Sequence, residues 1–321
     1  MLVLYFAKQL ALRFVSDDPK STLPLPMEKL HTLVFRYWNF DDFNEELHVA
    51  HLSPFLNFPN LKNLNVLRIG DNRGYDFTLE GGFEEKNYLM PFPERTSSLE
   101  SISLDYPTLS NAGFSNLLHA CKNLKVLRLI FGYELTKWSS TKFARALGGH
   151  ASSLEEVSLY SPDGLEITWI PGSADTDELP ECYRELKRLR RAGIPLGHLL
   201  QREDENDPTT TKSKPGRLPE SLEHLKIFHQ LELQSLREQL ESYPESFVGV
   251  DWSEFESDRH ETLVGIQTIL EETGPGGRLE KLKTIDSSDA LWDDPMVEEI
   301  RRVKDLAKER GVELILTKSI R

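Results

Sequence analysis

Apolar residues recur along this chain in one six-position frame, apolar-x-x-apolar-x-apolar. Leu30-x-x-Leu33-x-Phe35, Leu64-x-x-Leu67-x-Ile69, Leu99-x-x-Ile102-x-Leu104, Leu124-x-x-Leu127-x-Leu129, Leu154-x-x-Val157-x-Leu159 and Leu222-x-x-Leu225-x-Ile227 all follow it. Leu279-x-x-Leu282 is a weaker last copy, its next apolar residue displaced to Ile285. The second half of each copy alternates apolar and polar, the pattern of a strand buried on one face. Amphipathic segments of helical period precede the copies: Glu46–Phe58, Asn111–Cys121 with Ser110 as N-cap, and Thr141–Leu147 stopped by Gly148-Gly149. Further helices are expected at Glu178–Arg191, Leu233–Tyr243, His260–Thr273 and Pro295–Arg310, the last capped by Gly311 and followed by a strand Val312–Leu316.

One helix and one strand per roughly 25 to 35 residues is the period of a repeat that cannot bury its own core and must stack on copies of itself. Leu67, Ile102, Leu127, Val157 and Leu225 are expected to stack as one buried ladder. The frame stretches between Leu159 and Leu222, where Glu178–Arg191 and Ile194-Pro195-Leu196 hide a degenerate copy. Gln201–Arg217 contains no apolar residue, so it is read as a disordered insertion.

The stretch 109–129 carries the pattern in full: Leu109-Ser110-Asn111-x-Gly113-Phe114, then Leu117, Cys121, and Leu124-x-x-Leu127-x-Leu129. It resembles the cysteine-containing leucine-rich repeats of fungal F-box proteins. The resemblance implies an α/β leucine-rich-repeat solenoid, a curved parallel sheet with helices on its convex face. The organisation that follows is residues 1–26 as an N-terminal cap or the remnant of an upstream region, then 27–321 as one repeat domain with the insertion at about 201–217. In that family the repeats capture a substrate while an F-box docks on the Skp adaptor of a cullin ubiquitin ligase. Leu25-Pro26-Met27-Glu28 through Asp41-Asp42-Phe43 has some likeness to the opening of an F-box. The second half of an F-box, with its Cys/Trp-bearing helix, is absent, so a Skp-family adaptor is expected only if an F-box is present. The resemblance thus implies a substrate-recognition repeat domain or a paralogue of one. The alternative is a stand-alone repeat scaffold unrelated to ubiquitination.

The charge balance narrows the partner. With 52 acids against 38 bases the net charge is −14, the opposite of what phosphate neutralisation requires, and no nucleic acid is expected. Two cysteines and no apolar run of about 18 residues argue against a disulfide-rich secreted protein or a membrane span, and for a cytoplasmic or nuclear location. No metalloprotease, Cys-x-x-Cys, Gly-x-Ser-x-Gly or phosphate-loop motif occurs, so neither an enzyme nor a cofactor is expected. His48 and His51 have a spacing that could hold a metal, but solvent-facing histidines explain it better, and no metal is expected. Cys121 is read as a buried small hydrophobe. The run Lys187-Arg188-Leu189-Arg190-Arg191 is read as the polar face of a helix.

In a repeat sheet the residues between the apolar positions line the concave face. The residue before the third apolar position is Val34, Arg68, Ser103, Arg128, Ser158, Lys226 and Lys283, a row with four bases and no acid. The next positions are Arg36, Gly70, Asp105, Ile130, Tyr160 and Phe228. Aromatics crowd the loops after the strands: Tyr37, Trp38, Tyr75, Tyr106, Phe131 and Tyr133. Arg36, Arg68, Arg128, Tyr160, Lys226 and Phe228 are therefore the expected partner-binding residues, for a protein partner that is acidic or phosphorylated.

Overall fold

The computed structural model describes residues 29–36, 47–71, 92–131, 140–160, 181–195, 198–202, 211–213, 217–228, 252–288 and 297–316. They divide into two compact units, the first ending at Leu154 and the second starting at Glu155. The expected helix Leu233–Tyr243, residues 25–28 and 37–43 of the F-box-like stretch, and Tyr75 and Tyr133 lie outside the described residues, while residues 29–36 of that stretch are described and carry a strand.

The first unit holds β1 (Thr32–Phe35), β2 (Leu47–His48), the one-turn helix α1 (Ser53–Leu56), β3 (Asn63–Leu67), β4 (Ile69–Gly70), β5 (Ser101–Asp105), α2 (Asn111–Ala120), β6 (Val126–Ile130) and α3 (Ser140–Gly148). β1, β3, β5 and β6 pair in that order, all parallel. β2 pairs β4 separately, also parallel. Leu64, Val66, Ile102, Leu104, Leu127 and Leu129 are buried, while the residues between them face outward. The helices add Phe114, Leu117, Phe143 and Leu147 to the core, with the rings of Phe114 and Phe143 stacked at 5.0 Å. Segment Glu46–Phe58 is less helical than its periodicity suggests: a strand ending at His48 and a 3-10 turn over Val49–Leu52 precede α1. Pro54 lacks the N–H a longer helix would use there.

The second unit holds β7 (Glu156–Tyr160), a 3-10 turn (Tyr183–Glu185), β8 (Arg191–Pro195), β9 (Leu200–Arg202), β10 (Thr211–Ser213), β11 (His224–Phe228), α4 (Trp252–Glu271), β12 (Thr284–Asp286), α5 (Val297–Arg310) and β13 (Glu313–Ile315). β7, β8, β11, β12 and β13 pair in that order, again all parallel. Gly311, at φ 71°, closes α5 in the left-handed region as its sequence position predicts. Both units are thus α/β with a parallel sheet.

The hidden copy is real but differently built. Leu189-x-x-Ala192-x-Ile194 is its frame, in register with Leu222-x-x-Leu225-x-Ile227, and all three residues are buried. Of the expected helix Glu178–Arg191, residues 178–180 lie outside the described residues and 181–182 are helical; the short turn at Tyr183–Glu185 follows, and the chain then enters β8. Parallel pairing with β7 and β11 wins over helical propensity here. The basic run is therefore not a helix face. Leu189 is buried, and Arg188, Arg190 and Arg191 pair with Glu155, Glu223 and Glu156.

Part of the stretch Gln201–Arg217, expected to be disordered, is ordered. β9 and β10 pair antiparallel, Thr211 with Arg202 and Lys212 with Gln201. Backbone hydrogen bonds between paired strands need no apolar side chain. Arg217 is 2% exposed; it donates to Glu181 Oε1 at 3.1 Å and to the His198 carbonyl at 3.3 Å. Residues 203–210 and 214–216 lie outside the described residues.

Two ladders fix the repeats against each other within each unit. The serine before the first leucine of a frame donates to the carbonyl of the first leucine one repeat earlier: Ser98 to Leu61 at 3.1 Å, Ser153 to Leu124 at 2.8 Å, Ser221 to Leu189 at 2.8 Å. The residue after that leucine alternates in charge, Lys62, Glu100 and Lys125 in the first unit and Glu155, Arg190, Glu223 and Lys283 in the second. Glu100 lies 2.6 Å from both Lys62 and Lys125, and Glu223 lies 2.6 Å from Lys283 and 3.7 Å from Arg190.

Candidate functional site

The pairing register moves one predicted copy. Leu64 stands beside Ile102 and Val66 beside Leu104, so the second frame is Leu61-x-x-Leu64-x-Val66. Leu61, Leu64 and Val66 are buried, whereas Leu67 is half-buried. The expected buried ladder through Leu67 therefore runs through Leu64. The last copy moves as well, because Ile285 pairs Leu225 and the frame starts at Leu282.

These shifts change the outward row. In the first unit it reads Val34, Asn65, Ser103 and Arg128; in the second, Ser158, Gly193, Lys226 and Asp286. The base-only row is thus corrected: Asn65 takes the place of Arg68, and Asp286 that of Lys283. Lys283 instead belongs to the charged ladder, bound to Glu223. Arg68 falls just past β3 with φ 56°, and its N–H donates to the Asp105 carbonyl at 2.7 Å. Tyr106 repeats the geometry one strand on, with φ 55° and its N–H 2.6 Å from the Ile130 carbonyl. Non-glycine residues rarely occupy this region; the paired carbonyls hold the chain there as it leaves the sheet.

On the first unit, then, Arg128 lies on the outward face and is exposed, and Arg36, just after β1, is exposed too. Asp105 lies near them. Burial raises its carboxyl above the usual carboxylate range, and the Arg36 guanidinium works in the opposite direction. Val34 is 48% exposed. Of the loop aromatics, Tyr106 is exposed and Phe131 buried.

The second unit brings Tyr160, Lys226 and Phe228 together. The rings of Tyr160 and Phe228 lie 4.7 Å apart at 42°, and the Lys226 ammonium sits 5.1 Å from the Phe228 centroid. β7 and β11 flank β8, so two side chains on them would ordinarily be separated by one from the strand between. Pro195 is the residue of that strand in register with Phe228; the Phe228 ring instead lies back over Gly193, two residues earlier. A β-carbon there would come 2.8 Å from Phe228 Cε2 and 3.1 Å from Ser158 Oγ. The missing side chain leaves the space that the Phe228 ring occupies. Glycine in the degenerate frame was the one signal in the sequence that could have located this patch. Around it, Arg191 is paired with Glu156 and His224 Nδ1 is 3.3 Å from Thr284 Oγ1. Asp286 accepts from the Ser288 N–H at 2.9 Å.

The other candidate chemistry resolves into structure. Ala50 N–H donates to His48 Nδ1, which leaves Nε2 as the protonated nitrogen donating to the Asp71 carbonyl at 3.2 Å. Asp71 accepts from Ser110 N–H at 2.9 Å while Ser110, the N-cap of α2, accepts from Gly113 N–H. Cys121 is buried, its Sγ 3.5 Å from the Leu117 carbonyl, and burial pushes its thiol up to about 12. No three His, Cys, Asp or Glu side chains gather as a metal site among the described residues. No described helix is long and apolar enough to cross a membrane. No protein-family model matches the chain, and no curated protein matches it.

Proposed function

We propose that the protein is a protein-interaction module, a leucine-rich-repeat solenoid serving as the substrate-recognition domain of an F-box-type ubiquitin-ligase receptor or of a paralogue. The observation that carries the interaction reading is the outward patch of Tyr160, Phe228 and Lys226, where two aromatic rings and a cation meet on a sheet face. Aromatic side chains are enriched at interfaces and among the residues that carry most of the binding energy. The repeat reading is supported by the serine and charge ladders, since a regular relation between neighbouring strands is what stacked repeats need. On the first unit, taken by itself, Arg36 and Arg128 are exposed bases of the kind that suit an acidic or phosphorylated partner.

The test is affinity purification of the full chain from cells of its source, at low and high salt, beside an Arg128→Glu/Lys226→Glu variant. The reading expects a protein recovered by the wild type, weakened by salt and by the charge reversals. A Skp-family adaptor in the eluate assigns the ubiquitin-ligase role, and a partner without that adaptor assigns a stand-alone scaffold. Equal recovery of every protein by both chains at both salt concentrations sinks the reading.

A further inference from the structure

We infer that the helix ends of the first unit hold a binding site for a phosphoryl group, with Arg95 and His119 as its donors. The site is apart from the outward sheet face, and it stands whether or not that face takes a partner. Arg95 lies in the turn before β5 with φ 52°. Its N–H donates to the His119 carbonyl at the end of α2, 2.8 Å away, and Thr96 Oγ1 donates to the Pro93 carbonyl at 2.8 Å. Held in this left-handed turn, Arg95 reaches past the end of α2 and donates from Nη2 to the Gly149 carbonyl, just after α3, at 3.3 Å. The His119 imidazole comes to the same residue: a β-carbon on Gly149 would lie 3.7 Å from its Cδ2 and 3.8 Å from its Nε2. A guanidinium and an imidazole from different segments thus meet at one glycine, which puts no side chain over them.

The surroundings select an anion. Arg95 is exposed and donates to a neutral carbonyl, and neither it nor His119 forms an ion pair among the described residues. Neither α2 nor α3 contains an acid, on a chain that carries 52 of them. Glu94, beside Arg95 in the chain, is exposed and forms no ion pair among the described residues. Glu100 is held by Lys62 and Lys125, and Asp71 sits at the other end of α2 on Ser110. Lys122, just after α2, and Arg145 of α3 are further exposed bases. The carbonyls of a helix end would repel an anion, but those of α2 are occupied. Leu117 O accepts from Cys121 Sγ, Leu118 O from the Cys121 N–H and His150 Nε2, and Ala120 O from the Ser97 N–H.

The donors favour a phosphoryl group over a carboxylate. One guanidinium nitrogen is engaged at Gly149, so the remaining donors are divided between two side chains. A phosphate monoester offers three acceptor oxygens, enough for both, whereas the two oxygens of a carboxylate are filled by one edge of a guanidinium. A nucleic acid fits less well, since it would bring a row of phosphates to a chain of net charge −14.

The experiment is fluorescence anisotropy on the full chain with labelled Gly/Ser peptides carrying phosphoserine, serine or glutamate at one central position. Inorganic phosphate is the competitor and single-stranded oligothymidine the comparison ligand. The phosphoserine peptide should bind about tenfold more tightly than the other two. Arg95→Asn, a residue that tolerates the left-handed turn, and His119→Leu should each weaken it about tenfold. Arg95→Lys should keep only part of the affinity, because an ammonium lacks the guanidinium fork. Arg128→Glu, on the outward sheet face, should bind as the wild type does. Far-ultraviolet circular dichroism and urea midpoints establish that each variant is folded, and Arg95→Asn decides alone if His119→Leu is not. Inorganic phosphate that binds as tightly as the peptide assigns the free ion, and weaker binding assigns a phosphorylated side chain; either upholds the phosphoryl site. Equal affinity for the phosphoserine peptide and either of the others, binding of none, or tighter binding of the oligonucleotide overturns the inference. So does wild-type affinity in a folded Arg95→Asn chain, or a loss in Arg128→Glu as large as that in Arg95→Asn.

Discussion

Phe228 lies over Gly193 so closely that a β-carbon on the glycine would come within 2.8 Å of ring atom Cε2. The contact spans neighbouring parallel strands and sets the geometry of the Tyr160–Phe228 pair. Gly193→Ala should therefore move the ring with little net change in stability. Loss of aromatic contact, worth about 0.5–1.5 kcal/mol, opposes the roughly 0.5–1 kcal/mol gained by replacing glycine inside a strand. The check is near-ultraviolet circular dichroism beside a denaturation curve. An unchanged aromatic signal would mean that the Phe228 ring does not depend on the absence of a β-carbon at Gly193.

The register can be tested by truncating two leucines three residues apart. Leu64→Ala should cost about 2–5 kcal/mol, as for other fully buried leucines. Leu67→Ala, on the outward half-buried side, should cost under about 1.5 kcal/mol. Urea midpoints of the two variants decide it, and a larger loss at Leu67 would restore the frame that the local pattern suggests.

The charge ladder should respond to sign rather than to size. Glu100→Lys places three lysines in a row and should destabilise by about 1 kcal/mol, while adding Lys62→Glu and Lys125→Glu should return most of it. Raising salt should shrink the difference. A triple variant no more stable than the single one would show that the pairs do not interact.

His198 makes the second unit sensitive to acid. Its Nδ1 lies 3.0 Å from Tyr183 Oη, and burial, together with the Arg217 charge, lowers its pKa from 6.5 to about 3. The unfolded chain takes up a proton there that the folded chain refuses. Stability from this group is therefore complete above 6.5 and is lost progressively as pH falls from 6.5 toward 3. Between about pH 7 and pH 5 the wild type should lose more stability than His198→Gln, which cannot be protonated. Parallel pH curves for the two chains would remove His198 as the cause.

Both cysteine thiols are pushed up to about 12 by burial, so neither is a thiolate near neutral pH. Native protein should react slowly with a thiol reagent and fully after unfolding in urea. Rapid native labelling of Cys121 would contradict its placement in the core.

Much of the architecture was written in the chain. The alternation of buried and outward residues at Ile102–Leu104, Leu127–Leu129 and Leu225–Ile227 follows from period-two patterning, and Ser110 caps α2 because a serine at that position satisfies an N–H that the helix cannot. Sequence also carried the alternation of Asn-Leu-Lys at 60–62 and 123–125 with Ser-Leu-Glu at 98–100, 153–155 and 221–223, whose meaning emerged only as paired ladders. What local pattern could not decide was register. Leu61, Leu64 and Leu67 are spaced by three, so two overlapping frames bury equally plausible triplets, and only hydrogen bonding to β1 and β5 selects Leu64. The same choice moves Arg68 out of the outward row, and the pairing of β12 with β11 puts Asp286 where Lys283 was expected. Gly193 acquired its role only when β8 was inserted between β7 and β11, because the value of a missing side chain depends on what its neighbours would fill the space with. Composition and period determine that a strand forms and which way it alternates; which residues share a row is decided by backbone pairing across distant segments.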